Sequence, residues 1–263
     1  MCNNRVTLSD MKSSVEKGTI MNNSKAKIIY LFHSGYAVET REHLFIFDYY
    51  QPGSVRGGNL VDGIITNEYL KSKNNVVVFA SHSHPDHYDP VILEWAKSIP
   101  AITYIFSSDI PIGVKTLHCN IMSPYEEWKQ EEVLVKTFGS TDEGVSFLVQ
   151  ADGLSIFHAG DLNWWHWKGE SKTERDRAES FFKAEIDKIA PQYIDIAFFP
   201  VDHRLEEFYC IGAEYFAAKL HPKLLLPMHF GEVFDTSKAF SERVKDSSLA
   251  TIEIIHKGQE IFF

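Results

Sequence analysis

Apolar residues fall along this chain in short blocks of two kinds. Runs of five or six residues rich in Val, Ile, Phe and Tyr predict strands over 27–32, 35–40, 43–48, 75–80, 102–106 and 115–119. The same signature returns over 132–137, 145–150, 153–158, 194–199 and 223–227, with a last pair over 251–255 and 259–263. Between them the apolar spacing lengthens, predicting helices over 65–72, 90–97, 173–190, 209–220 and 236–246. In the fourth of these, Ala213, Phe216, Ala217 and Leu220 repeat at i, i+3, i+4 and i+7, a stripe that belongs in a core. Taken alone, the order gives a mixed α/β protein with no internal repeat. Residues 1–25 are polar and aperiodic and are expected to form a mobile extension before a single domain over 26–263. Met21 follows Glu16-Lys17-Gly18, whose codons can spell a purine-rich ribosome-binding sequence, so translation from Met21 is an alternative to translation from Met1.

Composition narrows the setting. At 44% hydrophobic and 13% aromatic residues, the 263-residue chain has ample material for one large core. No apolar run is long enough for a membrane span, and the N-terminus lacks the apolar stretch of a secretory signal. Cys2, Cys119 and Cys210 are scattered and odd in number, so a disulfide framework is not expected and a cytoplasmic setting is. A net charge of −10 without a basic stripe argues against a nucleic-acid partner, whose binding depends on Lys and Arg. A small-molecule substrate is the expected partner.

The chemistry is concentrated in SHSHPDHYD, where His82, His84, Asp86 and His87 follow the strand-forming Val76–Ala80. Imidazole and carboxylate at this spacing bind divalent transition metals. In extended backbone alternate side chains share a side, which groups His82 with His84, while Pro85 starts a turn that carries Asp86 and His87 toward a second point. Asp89 then reads as an N-cap and Pro90 as the first helical residue. No GxSxG elbow is present, and Cys119 next to His118 would face the opposite side of a strand, so a covalent nucleophile is not expected.

This loop matches in full the HxHxDH signature of the metallo-β-lactamase superfamily, which the chain resembles over about residues 26–263. FHAGDLN places Asp161 where that family carries its metal-bridging aspartate, and LLLPMHF places His229 at its last ligand position. Asp48, ending HLFIFD, matches the early structural aspartate. The HSG, HAGD and PMHF details are most similar to the branch of ascorbate-phosphate lactonase-like and uncharacterised metal-dependent hydrolases. The resemblance implies a four-layer αββα sandwich with the ligands His82, His84, Asp86, His87, Asp161 and His229 on loops along one edge. It also implies one or two divalent ions, zinc foremost with manganese or iron as alternatives. Asp161 and Asp86 are the expected catalytic carboxylates, acting with metal-activated water. One departure stands out: in VLVKTFGSTDEG, Gly139 replaces the histidine that the family usually supplies to the first metal. Water, Asp142 or His158 could fill that place, or the first site could be weak; for His158 a hydrogen-bonding role behind the ligands is the leading reading.

Further residues are candidates for substrate contact or for support of the ligands. Trp164, Trp165 and Trp167 follow Asp161 closely, and at least one of these indoles, Trp164 and Trp165 foremost, is expected to line the cleft. At the end of FFPVDHRLEE, Asp202, His203 and Arg204 could act on substrate, with Arg204 clamping an anion and His203 protonating a leaving group. A surface salt bridge is an equal reading for Arg204, as a structural turn is for His33 in FHSG. The leading expectation is a metal-dependent hydrolase of a small anionic or cyclic lactone, ester or amide. The alternatives are a phosphodiesterase or nuclease-like hydrolase and a non-catalytic metal- or ligand-binding protein.

Overall fold

The computed structural model describes residues 24–53, 57–112 and 118–263. The expected N-terminal extension and the alternative start at Met21 lie almost wholly outside the described residues, as does most of the strand predicted over 115–119. Two sheets form the centre. The first has seven strands in the order β13-β1-β2-β3-β4-β5-β6 and the second six in the order β12-β11-β10-β9-β8-β7. The strands are β1 (Lys27–Phe32), β2 (Gly35–Glu39), β3 (Leu44–Phe47), β4 (Val76–Ala80), β5 (Thr103–Ser107), β6 (Cys119–Met122) and β7 (Glu127–Gln130). The rest are β8 (Val133–Phe138), β9 (Ser146–Ala151), β10 (Leu154–His158), β11 (Ile196–Pro200), β12 (Leu224–Met228) and β13 (Glu260–Phe262).

Alternation along the strands explains the layering. In β1, Ile28 and Tyr30 face the second sheet while Ile29 and Leu31 join a separate outer core; β3 and β4 divide in the same way. The outer core is closed by Leu70 of α1 (Asn67–Lys71) and by Ile92 and Trp95 of a 3-10 helix over Pro90–Lys97. Asp89 caps that helix by accepting from the Val91 amide, as its sequence predicts, although the segment coils as 3-10 rather than α. On the far side, α2 (Lys172–Ile189), α3 (Ile211–Leu220) and α4 (Phe234–Val244) cover the second sheet against β8, β11 and β12. The predicted stripe Ala213, Phe216, Ala217 and Leu220 is buried there. The result is the αββα sandwich. Two differences from the sequence reading concern edges: β7 is a mostly exposed strand without an apolar signature, and 251–255 forms no strand.

Strand direction decides where the chemistry collects. β3 and β4 run parallel, and β1 points the same way because it is antiparallel to β2, which is antiparallel to β3. In the second sheet β10, β11 and β12 are parallel, and β8 shares their direction through the antiparallel β9. The C-terminal ends of these strands lead into His33, Asp48, the 81–87 loop, the 139–145 loop, Asp161, Asp202 and His229. Open α/β sheets present ligands at such carboxyl ends. No helix among the described residues is long and apolar enough to cross a membrane.

Candidate metal centre

The histidine loop leaves β4 and bends back at once. His82, His84 and Asp161 bring one ligand atom each to within 4.8 Å of one another, as do His33, Asp86, His87 and His229 in a second group. Asp161 stands between the groups. Its Oδ1 lies 3.2 Å from Nε2 of both His87 and His229, and its Oδ2 lies 3.5 Å from His82 Nε2.

A second layer of hydrogen bonds aims these groups. Asp48 is fully buried and accepts from the Ser81 amide (2.8 Å), the Ser81 hydroxyl (2.6 Å) and His87 Nδ1 (2.7 Å). Ser81 Oγ, its proton given to Asp48, accepts from His82 Nδ1 at 3.0 Å. On the other sheet Asp202 accepts from His229 Nδ1 at 3.0 Å. Each of the three histidines thus donates its Nδ1 proton outward and turns its Nε2 inward, the orientation that metal-binding imidazoles require. The backbone is held for the purpose: His33, Asp48 and His229 all adopt left-handed conformations, with φ of 54°, 43° and 70°. A side chain pays for that backbone with local strain, and such strain concentrates at functional sites. Gly160, also left-handed, lets β10 run against Ser81, whose Cβ would lie 2.8 Å from any Cβ added there.

The residues fit a cation. Nε2 of His33, His82 and His87 and Oδ1 of Asp161 are buried without a hydrogen-bond partner. An unpaired buried polar group costs ~1–3 kcal/mol, so four of them shared between two adjoining donor groups mark places made for bound ions. Electrostatics agree. Burial pushes His33 and His82 down to about 4 against the pull of nearby carboxylates, keeping both imidazoles neutral and their lone pairs available. Burial opposes charge on His87 and His229 too, but Asp161, together with Asp48 at His87 and Asp202 at His229, outweighs it, raising His87 and carrying His229 up to about 9; without an ion both hold a proton on Nε2 toward Asp161, the proton that a bound cation would displace. Burial alone would raise Asp161; His87 and His229 instead hold it well below the usual carboxylate range.

Several sequence candidates find definite places. His158 is not free to ligate: its Nε2 donates to the Ser34 carbonyl (2.9 Å) and its Nδ1 accepts from the Gly160 amide (3.2 Å), so it braces β10 behind the centre. His33, for which the sequence left a turn role open, stands in the second donor group with its Nε2 3.4 Å from Asp86 Oδ2. Of the indoles, Trp165 and Trp167 line a cleft of about 610 Å³ over the centre, stacked at 5.9 Å and 4°. Trp165 is pinned by donating to the Asp161 carbonyl at 3.0 Å. Trp164 turns away and packs on the core beside Phe182 and Tyr215. His203 is exposed and does not line the cleft. Arg204 does line it, but its guanidinium is engaged with both oxygens of Asp202 (2.5–3.0 Å) and lies over Trp167. Arg177, not singled out in the sequence, also lines the cleft and has no ion-pair partner among the described residues. Its place on α2, remote in sequence from every ligand, left no local signal.

No protein-family model and no curated protein sequence matches the chain. Solved structures do. A metallo hydrolase from the hyperthermophilic archaeon Ignicoccus hospitalis superposes with a TM-score of 0.64 at 18% identity, covering 90% of this chain and 98% of that one. The metallo-beta-lactamase fold protein YhfI from Bacillus subtilis gives 0.57 at 13%, covering 92% of this chain and 100% of its own. CmlA from Streptomyces venezuelae, a diiron beta-hydroxylase, gives 0.61 at 13%, covering 91% of this chain and 54% of its own. The chain therefore has the metallo-β-lactamase fold, with the histidine- and aspartate-lined edge set out above.

Proposed function

We propose that the chain is a metal-dependent hydrolase of a small anionic or cyclic substrate, a lactone, ester or amide. The observation that carries this reading is the gathering of buried, unpartnered ligand atoms of His33, His82 and His87 around Asp161, which itself lines an open cleft with His84, Asp86 and His229. His82, His84 and Asp161 would hold one divalent ion, and Asp86, His87, His229 and Asp161 a second, with His33 beside Asp86. Zinc is the expected metal, and the same nitrogen and oxygen donors suit manganese or iron. When bound, such an ion supplies activated water at neutral pH and polarises a carbonyl or phosphoryl oxygen.

The protein's own groups do the rest. Asp48, Ser81 and Asp202 keep the imidazoles in one tautomer and one orientation, so no reorganisation is needed during the reaction. Asp161, between the two groups, is placed to accept a proton from attacking water. The Trp165–Trp167 wall excludes solvent on one side and offers a flat face to a ring. Arg204 is committed to Asp202, which leaves Arg177 as the cation for an anionic substituent. With a net charge of −10 and no basic stripe in the sequence, this cleft suits a small molecule better than a polynucleotide. Zinc- and manganese-loaded wild type and Asp161→Asn, assayed on a panel of lactones, esters, amides and phosphodiesters, test the reading. Turnover on one class, lost in Asp161→Asn, is expected; a ligand bound equally by both proteins and never turned over would replace it with a binding function.

A further inference from the structure

The first half of α2 faces the cleft rather than the core. Its later turns bury Phe182, Ile186 and Ile189, whereas Glu174, Arg177, Ala178 and Phe181 line the opening. Their i, i+3, i+4 and i+7 spacing sets these four on one face of the helix. Phe181 is 51% exposed, although Phe182 beside it is fully buried. It is not an isolated surface ring. Trp165 and Trp167 line the same cleft, and an apolar wall rimmed by charge marks a ligand site.

The charges along this wall are unevenly committed. Glu174, three residues before Arg177 and its natural partner on a helix, accepts instead from the Ser171 amide at 2.8 Å, in the capping box that starts α2. Arg175 donates to the carbonyls of Lys168 (3.2 Å) and Glu170 (2.8 Å), which ties the tryptophan segment to the start of the helix. Arg204 is held by Asp202. Arg177 remains as a cation without an ion-pair partner among the described residues, on a cleft that also carries the carboxylates of Asp142 and Glu170. None of the α2 residues belongs to either donor group, so this wall is separate from the ligands.

We propose that the substrate is an amphiphilic acid: a planar apolar ring rests against Trp167 and Phe181, and an oxyanion apart from the cleaved bond is bound by Arg177. The proposal rests on the hydrolase reading above for the reaction, but the wall is tested without metal. The full chain, stripped with chelator, is titrated by calorimetry with naphthoate, with the neutral naphthalenemethanol and with gluconate, an acid without an apolar ring. Wild type should bind naphthoate at least about 10-fold more tightly than either of the others, because only naphthoate offers both the ring and the charge. Arg177→Gln should weaken naphthoate by about 5- to 10-fold and leave naphthalenemethanol unchanged. Phe181→Ala should weaken both naphthyl probes by about 5-fold, and Phe181→Tyr should restore them. Both side chains are exposed, so the variants should melt with wild type. No saturable binding of naphthoate, gluconate bound as tightly, or naphthoate affinity unchanged in both Arg177→Gln and Phe181→Ala would each overturn the substrate class while leaving a metal-dependent hydrolase standing. A chain that binds naphthoate as expected but refuses zinc would keep the wall and overturn the hydrolase reading instead.

Discussion

Replacing Asp48 by Asn probes the support of the centre without touching a ligand. The carboxylate is fully buried and accepts three short hydrogen bonds, from the Ser81 amide, the Ser81 hydroxyl and His87 Nδ1. An Asn side chain can accept on one atom only and would set its NH2 against at least one of these donors. Hydrogen bonds to a buried charge contribute about 1.5–3 kcal/mol each, and leaving a buried donor unpaired costs ~1–3 kcal/mol, partly relieved by rearrangement. A net destabilisation of roughly 3 kcal/mol follows, or about 6–12 °C in melting temperature at ~2–4 °C per kcal/mol for a chain of this size. The same change frees both His87, which bonds Asp48 directly, and His82, which bonds it through Ser81, so zinc affinity should fall by about 10- to 100-fold. Scanning calorimetry on chelator-treated protein gives the first quantity and competition with a chromophoric chelator the second. A variant that melts with wild type and holds zinc equally well would refute the reasoning that Asp48 orients the donors.

The remaining predictions use the same logic. Gly139→His should lose roughly 1–3 kcal/mol to the clash with Glu185 and Tyr125 and gain no metal affinity, as melting and zinc titration will show. Asp202→Asn should weaken zinc by about 10-fold or more, because His229 loses its anchor and Arg204 its partner; unchanged affinity would mean His229 is held by packing alone. Trp164→Ala should cost ~2–4 kcal/mol in chemical denaturation because that indole packs on the core, whereas Trp165→Ala should cost much less and act on substrate affinity. Chelation of metal should lower the melting temperature, and re-addition should restore it, by the mass-action stabilisation that any ligand of the folded state provides.

What could be read from the sequence follows from the range of the interactions involved. Most of the strand runs and the Ala213–Leu220 stripe have their own periods, so their elements appear where predicted, within a few residues, although the run over 251–255 forms no strand. His82, His84, Asp86 and His87 were legible because their spacing is itself the signal. Tertiary relations were not. Nothing local says that His33 meets Asp86 across two loops, that Asp202 receives His229, or that Glu185 of α2 closes the space beside Gly139. The Trp164–Trp167 stretch shows the boundary well: it is irregular, so no period tells which indole turns inward, and only packing against Phe182 and Tyr215 assigns Trp164 to the core. Edge strand β7 escaped for the opposite reason, since Glu127, Lys129 and Gln130 are solvated and carry no hydrophobic pattern.

Metal content per chain, measured by elemental mass spectrometry on protein purified without chelator or added metal, tests the central claim most directly. Two equivalents of a divalent transition metal, zinc foremost, are the predicted result. A metal-free chain that also refuses zinc and manganese on reloading would contradict the account.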